Sequence, residues 1–183
     1  MDPLFLEFRP TTLGWLSVVA GPRGLRWVSL AESSSLLWEQ ISGRFPDARW
    51  EGRRGGRSFR GQPGAAEFPL EHWVRTVEQA VEQPSRAGAP APFDISGTPF
   101  QQAVWKALQR IPAGTVWTYG QLAARVGHPG AARAVGSACG ANPIPFLIPC
   151  HRVVASNGGL GGFGLGLAVK RALLAREGVA EFS

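Results

Sequence analysis

The stretch NPIPFLIPCHRVV, residues 142–154, is the part of the chain from which its fold can be inferred. It is an apolar run interrupted by prolines, and Cys150 stands next to His151 near its end. A free thiol is only about 3% thiolate at neutral pH, and a histidine held by a carboxylate can raise that fraction. Adjacent side chains of an extended backbone point apart, so we expect His151 to act on Cys150 through a turn or a water molecule. On the pair alone, a buried structural cysteine beside a hydrogen-bonded histidine is the alternative.

A glycine-rich loop and a helix are predicted after this stretch. Residues 157–166 contain six glycines, and such a loop lets a backbone approach a ligand closely. The sequence then predicts a helix from Leu167 to Glu177, capped by Gly178. Glu177 stands at the C-terminal end of that helix, where the helix dipole disfavours an anion. We therefore expect Glu177 to have a partner.

Three helices are predicted before the stretch. An apolar face predicts a helix over residues 100–111, with Ala103 on that face and Pro99 in the first turn. Thr118 and Gln121 fit a capping box that opens a second helix. After a turn at 127–130, residues 131–139 predict a short third helix of small residues in which Arg133 is the only long side chain. The last two have the dimensions of a helix-turn-helix, although an ordinary αα-corner fits the same pattern.

The first half of the chain predicts mixed α and β structure. We expect strands over 4–8, 13–19 and 25–30, and helices over 35–41 and 70–82. Arginines among five glycines and a proline indicate a mobile loop over residues 51–64. The segment PSRAGAPAP, residues 84–92, indicates a linker, which divides the chain into domains 1–92 and 93–183.

The composition excludes several classes of protein. Of 183 residues, 44% are hydrophobic and 17% charged, which is too apolar for a disordered chain. No run approaches the roughly 20 apolar residues of a membrane span, and Asp2 and Pro3 stand where a signal peptide would carry positive charge. Two cysteines, Cys139 and Cys150, exclude a disulfide-rich scaffold and a cysteine-built zinc site. We expect a protein of a reducing compartment, the cytoplasm.

The basic charge lies in the second half. The chain carries 19 basic and 13 acidic residues, with 11 and 10 of them up to residue 92 and 8 and 3 after it. All but two of the basic residues are arginines, whose planar fork suits phosphates and base edges. The excess favours a nucleic-acid partner, although a general bias toward Arg, Gly, Ala and Pro would produce it too.

Five segments of the second half together resemble the O6-alkylguanine-DNA alkyltransferases, also called methylated-DNA–protein-cysteine methyltransferases. They are FQQAVWKAL (100–108), TYGQLAA (118–124), AARAVG (131–136), NPIPFLIPCHRVV (142–154) and GLAVKRALLAREG (166–178). The resemblance implies an α+β fold. A small ribonuclease-H-like α/β support domain would precede a mostly helical, DNA-binding alkyl-acceptor domain with a helix-turn-helix and an active-site cysteine loop.

The resemblance also implies a function, which is direct-reversal DNA repair. The alkyl group of O6-alkylguanine, and of O4-alkylthymine, would pass irreversibly to Cys150 in a single turnover. A thiolate cannot reach the O6 atom inside a stacked duplex, so the base must be flipped out, here through the minor groove. The implied partner is double-stranded DNA. No cofactor, metal, membrane or obligate protein partner is expected, and the protein would be a monomer.

Roles for individual residues follow from the same resemblance. Cys150 would be the acceptor thiolate, His151 the water-linked base, Glu177 the group that orients it, and Asn142 the brace of the active-site turn. Arg133 would enter the duplex in place of the flipped base. The implied DNA-binding residues are Tyr119, Ala132, Arg133, Ala134, Gly136 and Ser156. The implied substrate-binding residues are Tyr119, Pro145, Val153, Phe163 and Gly164.

Two positions depart from the family pattern. Phe163 stands where the family often has tyrosine, so one hydroxyl contact to the base is missing. Gly164 and Leu165 replace a more polar pair in the same loop, which bears on the substrate range. The N-terminal part also lacks the cysteines that some relatives use for a structural zinc.

Three other classes of protein fit part of the pattern. Alkyltransferase-like proteins bind alkylated DNA but lack the acceptor cysteine, so the presence of Cys150 argues against them. A helix-turn-helix regulator reads the major groove, for which an alanine-rich second helix offers little. A cysteine hydrolase usually has its histidine far away in sequence, and no oxyanion-hole motif is visible.

Overall fold

The computed structural model of the protein describes residues 2–54, 57–58, 69–86 and 91–182. The chain forms two compact units, Met1–Glu82 with Gly88–Ile95, and Gln83–Ala87 with Ser96–Ser183. The described part of the chain is mixed α and β, with six α-helices and a small sheet. Of the residues predicted as a linker, Pro84–Arg86 form a 3-10 turn that belongs to the second unit. No helix in the described ranges is long and apolar enough to cross a membrane.

The first unit is built on a five-stranded sheet with the order β3-β2-β1-β4-β5. The strands are β1 Leu4–Thr11, β2 Gly14–Gly21, β3 Gly24–Ala31, β4 Trp50–Arg54 and β5 Arg57–Ser58. The pairs β1–β2, β2–β3 and β4–β5 are antiparallel, and β1–β4 is parallel. The three strands and two helices predicted for this half are confirmed, with small shifts at their ends.

Two helices cover this sheet. Helix α1, Ser34–Arg44, packs on β2 and β3, and α2, Leu70–Glu82, packs on β1 and β2. Successive residues of β2 from Leu16 to Gly21 are all buried, which is typical of a strand covered on both faces. Apolar burial of this kind is the main source of the unit's stability.

The prediction of a mobile loop over residues 51–64 is wrong for residues 51–54 and 57–58, which belong to the strands β4 and β5. Leu4 pairs with Trp50, and the Trp50 ring stands edge-on to Trp38 and Phe45 at 5.9 and 6.0 Å between centroids. Pairing and packing with distant residues therefore override the local glycine signal. Residues 55–56 and 59–64 of the predicted loop lie outside the described residues.

The second unit is helical, with one short strand pair. Its helices are α3 Pro99–Leu108, α4 Tyr119–Arg125, α5 Ala132–Gly140 and α6 Leu167–Arg176, and its parallel strands are β6 Trp117–Thr118 and β7 Val153–Val154. Helices α3, α4 and α5 pack on one another, and the Trp105 Nε1–H donates to Ala138 O at 2.9 Å between α3 and α5.

Ala103 is exposed, so its predicted place on the apolar face is wrong; the buried face of α3 carries Val104, Trp105, Ala107 and Leu108.

The capping box predicted at Thr118 is confirmed. The backbone N–H of Gln121 donates to the Thr118 hydroxyl at 3.1 Å, and the Thr118 N–H donates to Gln121 Oε1 at 2.8 Å. Both bonds satisfy donors that the first turn of a helix otherwise leaves open. The box fixes the start of α4, and with it the position of Tyr119 as the first residue of the helix.

Replacing Thr118 with alanine should lower the free energy of unfolding by about 1 kcal/mol, because α4 loses its N-cap acceptor. Urea unfolding of the full chain, followed by circular dichroism, measures the change. Thr118→Ser keeps the hydroxyl and should stay close to the unsubstituted chain. Equal losses in both variants would instead show that the methyl group of Thr118 matters more than its hydroxyl.

Candidate active site

Asn142 organises the turn that carries Cys150. Its Nδ2–H donates to Ile148 O at 2.7 Å and to Cys150 Sγ at 3.1 Å, and its Oδ1 accepts from the Ile144 N–H at 3.0 Å. Phe146, inside this loop, has a φ of +76°, a conformation that is uncommon for a residue with a side chain. The side-chain amide of Asn142 thus fixes the loop through three hydrogen bonds. At the end of this loop, Cys150 begins a 3-10 turn that ends at Arg152.

The Cys150 thiol is almost fully enclosed, with 6% of the residue exposed. Burial raises the pKa of this thiol, and the Asn142 hydrogen bond and the positive charge of Lys170 oppose the increase. The net direction is upward, so the thiol is protonated at neutral pH and needs a base to become a nucleophile.

His151, the residue after Cys150, forms a buried pair with Glu177. The His151 Nε2 atom lies 2.9 Å from Glu177 Oε1, and both side chains are 0% exposed. Burial lowers the pKa of His151 although the Glu177 carboxylate favours the charged form. The imidazole is therefore neutral at neutral pH, which is the form of a base.

Glu177 itself is held as an anion. Burial alone would raise the pKa of its carboxyl group, but hydrogen bonds from His151 and Arg152 outweigh burial and lower that pKa to about 2. An ionised carboxylate only accepts, so the Nε2 atom of His151 carries the hydrogen of their bond. The Nδ1 atom of the neutral ring is then the acceptor.

Arg152 is a residue of this site that the sequence analysis did not single out. Its Nε–H reaches both Glu177 oxygens at 3.1 Å, and a terminal N–H reaches Oε1 at 2.8 Å. The only signal in the sequence was its place directly after the Cys–His pair.

A cavity of about 510 Å³ opens beside Cys150. Small residues dominate its walls, and a wall without bulky side chains lets a ligand reach the backbone. Cys139 also lines it, and burial raises the pKa of that thiol to about 12. The lining residues are Tyr119, Gly120, Ala132, Arg133, Gly136, Cys139, Gly140, Cys150, Ala155, Ser156, Gly162, Phe163 and Gly164.

Lys170 is the second residue that the sequence analysis missed. It is 0% exposed, and its ammonium donates to three carbonyl oxygens, Val153 at 2.6 Å, Leu160 at 2.6 Å and Gly162 at 3.1 Å. Burial lowers its pKa to about 8. The ammonium thereby ties the glycine-rich loop to β7. A lone lysine in the helix predicted from Leu167 to Glu177, in a chain whose basic residues are otherwise almost all arginines, was the available signal.

Tyr119 meets the same loop from α4. Its hydroxyl donates to Gly162 O at 3.2 Å. Gly161 has a φ of +69°, and a Cβ atom there would lie 2.7 Å from the Tyr119 ring. A glycine is required at this position both by the backbone conformation and by the ring.

The predicted site residues fall into three groups. Eight of them line the cavity: Tyr119, Ala132, Arg133, Gly136, Cys150, Ser156, Phe163 and Gly164. Asn142, His151 and Glu177 are buried around Cys150. Ala134 is exposed on α5, Pro145 and Val153 are buried, and these three are not among the lining residues. Within the described part of the chain, no group of three His, Cys, Asp or Glu residues could hold a metal ion.

The sequence of the second unit matches a family described as "6-O-methylguanine DNA methyltransferase, DNA binding domain" over residues 99–179. The chain is similar to the methylated-DNA–protein-cysteine methyltransferase of Salmonella typhimurium, with 60% identity over 168 residues, 87% of this chain and 93% of the relative. It is also similar to the protein of that name from Shigella flexneri, with 39% identity over 87% of this chain and 93% of the relative.

Solved structures are similar over nearly the full length. The OGT of Mycobacterium tuberculosis in complex with DNA superposes with a TM-score of 0.70 and 32% identity, covering 97% of this chain and 93% of that one. The O6-methylguanine-DNA methyltransferase of Pyrococcus kodakaraensis gives a TM-score of 0.63 and 26% identity, covering 96% of this chain and 99% of that one. The chain belongs to the family of methylated-DNA–protein-cysteine methyltransferases.

Proposed function

We propose that this protein repairs DNA by direct reversal, taking the alkyl group of O6-alkylguanine, and of O4-alkylthymine, onto Cys150 after the base is flipped out through the minor groove. The observation that carries the proposal is the thiol of Cys150 in the wall of an open cavity, with His151 as the next residue and Glu177 paired to that histidine. A mostly buried thiol with a raised pKa is inert until a base acts on it, which restricts the reaction to a bound substrate.

The proton of the Cys150 thiol passes to Nδ1 of His151 through a water molecule. Two observations support this route, since Nε2 is committed to Glu177, and Nδ1 is a buried atom without a hydrogen-bond partner in the described part of the protein. The sulfur then forms a bond to the alkyl carbon as the carbon–O6 bond breaks. The leaving guanine takes up the proton held by the His151 imidazolium, which restores the neutral ring, and the product on Cys150 is a thioether.

The cavity receives the flipped base. Tyr119 and Phe163 supply aromatic surface, and the neighbouring glycines expose backbone groups to the base edge. Tyr119 also crowds the phosphate of the target nucleotide, and Gly164 contributes backbone to the pocket. The missing hydroxyl at Phe163 leaves recognition of the base to backbone groups and shape.

Helices α4 and α5 act as a helix-turn-helix that lies in the minor groove. The exposed Arg133 enters the duplex from α5, where it replaces part of the stacking lost by the flipped base. Ala132, Ala134 and Gly136 allow α5 to approach the groove closely, and Ser156 contacts the backbone of the DNA. A helix without other long side chains suits a protein that must act in any sequence context.

The first unit is a ribonuclease-H-like support domain. Its three antiparallel strands, followed by α1 and the parallel strand β4, are in keeping with this assignment. The domain 1–92 supports the fold, and the domain 93–183 binds DNA and carries the reacting thiol.

The protein acts as a monomer in the cytoplasm, where a reducing environment keeps both free cysteines as thiols.

Each molecule should react once, because thiol–disulfide exchange cannot remove an alkyl thioether. Titration of a known amount of protein with excess O6-methylguanine duplex should reach a plateau of one alkyl group per chain. Peptide mapping should place the added mass on Cys150, and Cys150→Ala should bind DNA without transfer. Continued turnover beyond the plateau, or the mass on Cys139, would contradict the proposal.

His151 and Glu177 should act as one unit. Replacing either His151 with asparagine or Glu177 with glutamine should slow transfer by about 10²–10⁴-fold, because the base or its orientation is lost. The double variant should be little slower than the slower single variant. Single-turnover transfer from duplex measures the rates, and Glu181→Gln, at an exposed carboxylate, is the control. Multiplicative losses would show that the two residues act independently.

Arg133→Ala should slow repair of duplex DNA more than it slows attack on free O6-benzylguanine, because only the duplex must be held open. Parallel rate measurements on the two substrates give the ratio. If Arg133 merely contacts a phosphate, the variant should lose DNA affinity and salt dependence with an unchanged rate in the bound complex. Equal losses on both substrates would indicate damage to the fold.

A further inference from the structure

The Glu177 carboxylate is crowded with donors beyond the one that the proposed reaction uses. Oε1 accepts from His151 Nε2 at 2.9 Å and from Arg152 at 2.8 and 3.1 Å, and Oε2 accepts from Arg152 at 3.1 Å and from the Gly114 N–H at 3.3 Å. Most of these bonds come from Arg152, whose side chain the proposed reaction leaves without a task.

The guanidinium of Arg152 is fixed on its other side as well. It donates to Ile111 O, just after α3, at 2.6 Å and reaches Pro84 O at 3.5 Å. Only 8% of the residue is exposed. All of these partners belong to the second unit. A planar fork held on two sides cannot rotate, so it sets the orientation of the Glu177 carboxylate.

Four charged or titratable groups bear on His151. Glu177 faces it from the end of α6, Lys170 acts from within α6, and Arg152 and Cys150 are its neighbours in the turn. Burial is the main cause that lowers the pKa of His151. Glu177 opposes this effect, and the positive charges of Arg152 and Lys170 add to it. A lone carboxylate beside His151 would favour the imidazolium, and the Arg152 charge offsets that tendency.

We propose that Arg152 is a positioning residue for alkyl transfer, which engages the Glu177 carboxylate so that His151 remains a neutral base with Nδ1 free to accept the thiol proton. The inference rests on the proposed function of Cys150. In a purely structural role, the Arg152 side chain would only join Ile111, Pro84 and Glu177, and it would have no effect on the protonation of His151.

The test is the pH dependence of single-turnover transfer from O6-methylguanine duplex, measured for the full chain and for Arg152→Met and Arg152→Lys. Arg152→Met removes the charge at similar volume, and Arg152→Lys keeps the charge but loses the fork. Arg110→Met is the matched control, since it removes one positive charge from an exposed position in the same unit. Thermal unfolding of each variant reports on the fold.

In Arg152→Met the acid limb of the rate profile should move up by about one pH unit, because His151 then feels the full charge of Glu177. Below the limb this shift amounts to about a tenfold slower transfer relative to the unsubstituted chain. Arg152→Lys should keep the limb in place and slow the reaction evenly at all pH values. Arg110→Met should leave the limb unmoved. A folded Arg152→Met protein whose limb coincides with that of the unsubstituted chain would overturn the inference.

A second measurement does not depend on transfer or on the folding of the Arg152 variants. ¹⁵N-histidine spectra of the unsubstituted chain, assigned with His72→Gln and His128→Gln, report the protonation of His151. A neutral ring with the hydrogen on Nε2 at pH 7 supports the inference, and an imidazolium or the opposite tautomer overturns it. If the unsubstituted chain transfers no alkyl group, the proposed function fails, while the spectra still test whether His151 has the protonation state that the inference requires.

Discussion

Burying the Glu177 carboxylate removes it from water, and it can stay ionised only if donors surround it. Those donors come from the turn after Cys150 and from the backbone at Gly114, while Glu177 itself ends α6. Segments far apart in sequence therefore meet at one anion. The same anion determines which nitrogen of His151 carries the hydrogen, so the fold of the second unit and the chemistry of its thiol depend on a single buried charge.

Much of the fold follows from local patterns in the sequence. The three N-terminal strands, α2 and the capping box of α4 are each specified within about a dozen residues, and the structure has them where the pattern predicts them. Strands β4 and β5 could not be found in this way. Their backbone lies in a segment rich in glycine and arginine, and β4 exists because β1 offers it a parallel partner far away in sequence.

The residues of the candidate site also differ in whether the local sequence could predict them. The stretch 142–154 contains Asn142, Cys150 and His151. Glu177 could be identified as well, because an anion at a helix C-terminus requires a partner. Arg152 and Lys170 could not be assigned from pattern alone. A buried arginine or lysine is identified by what surrounds it, and their acceptors are backbone carbonyls and a carboxylate brought in by other elements. Sequence patterns predict which side chains share a helix or a loop, but not which backbone carbonyls of other elements will accept their hydrogen bonds.

The enclosure of Lys170 also determines which lysine side chain is open to acylation. The chain has two lysines, and Lys170 is 0% exposed with its ammonium committed to three carbonyls, whereas Lys106 is exposed on α3. Acylating dyes, biotin esters and amine-coupling surfaces therefore react with the side chain of Lys106 and spare the lysine that holds the cavity wall. A label or a solid support can be attached at one lysine side chain while the Lys170 amine that ties the loop to β7 stays unmodified.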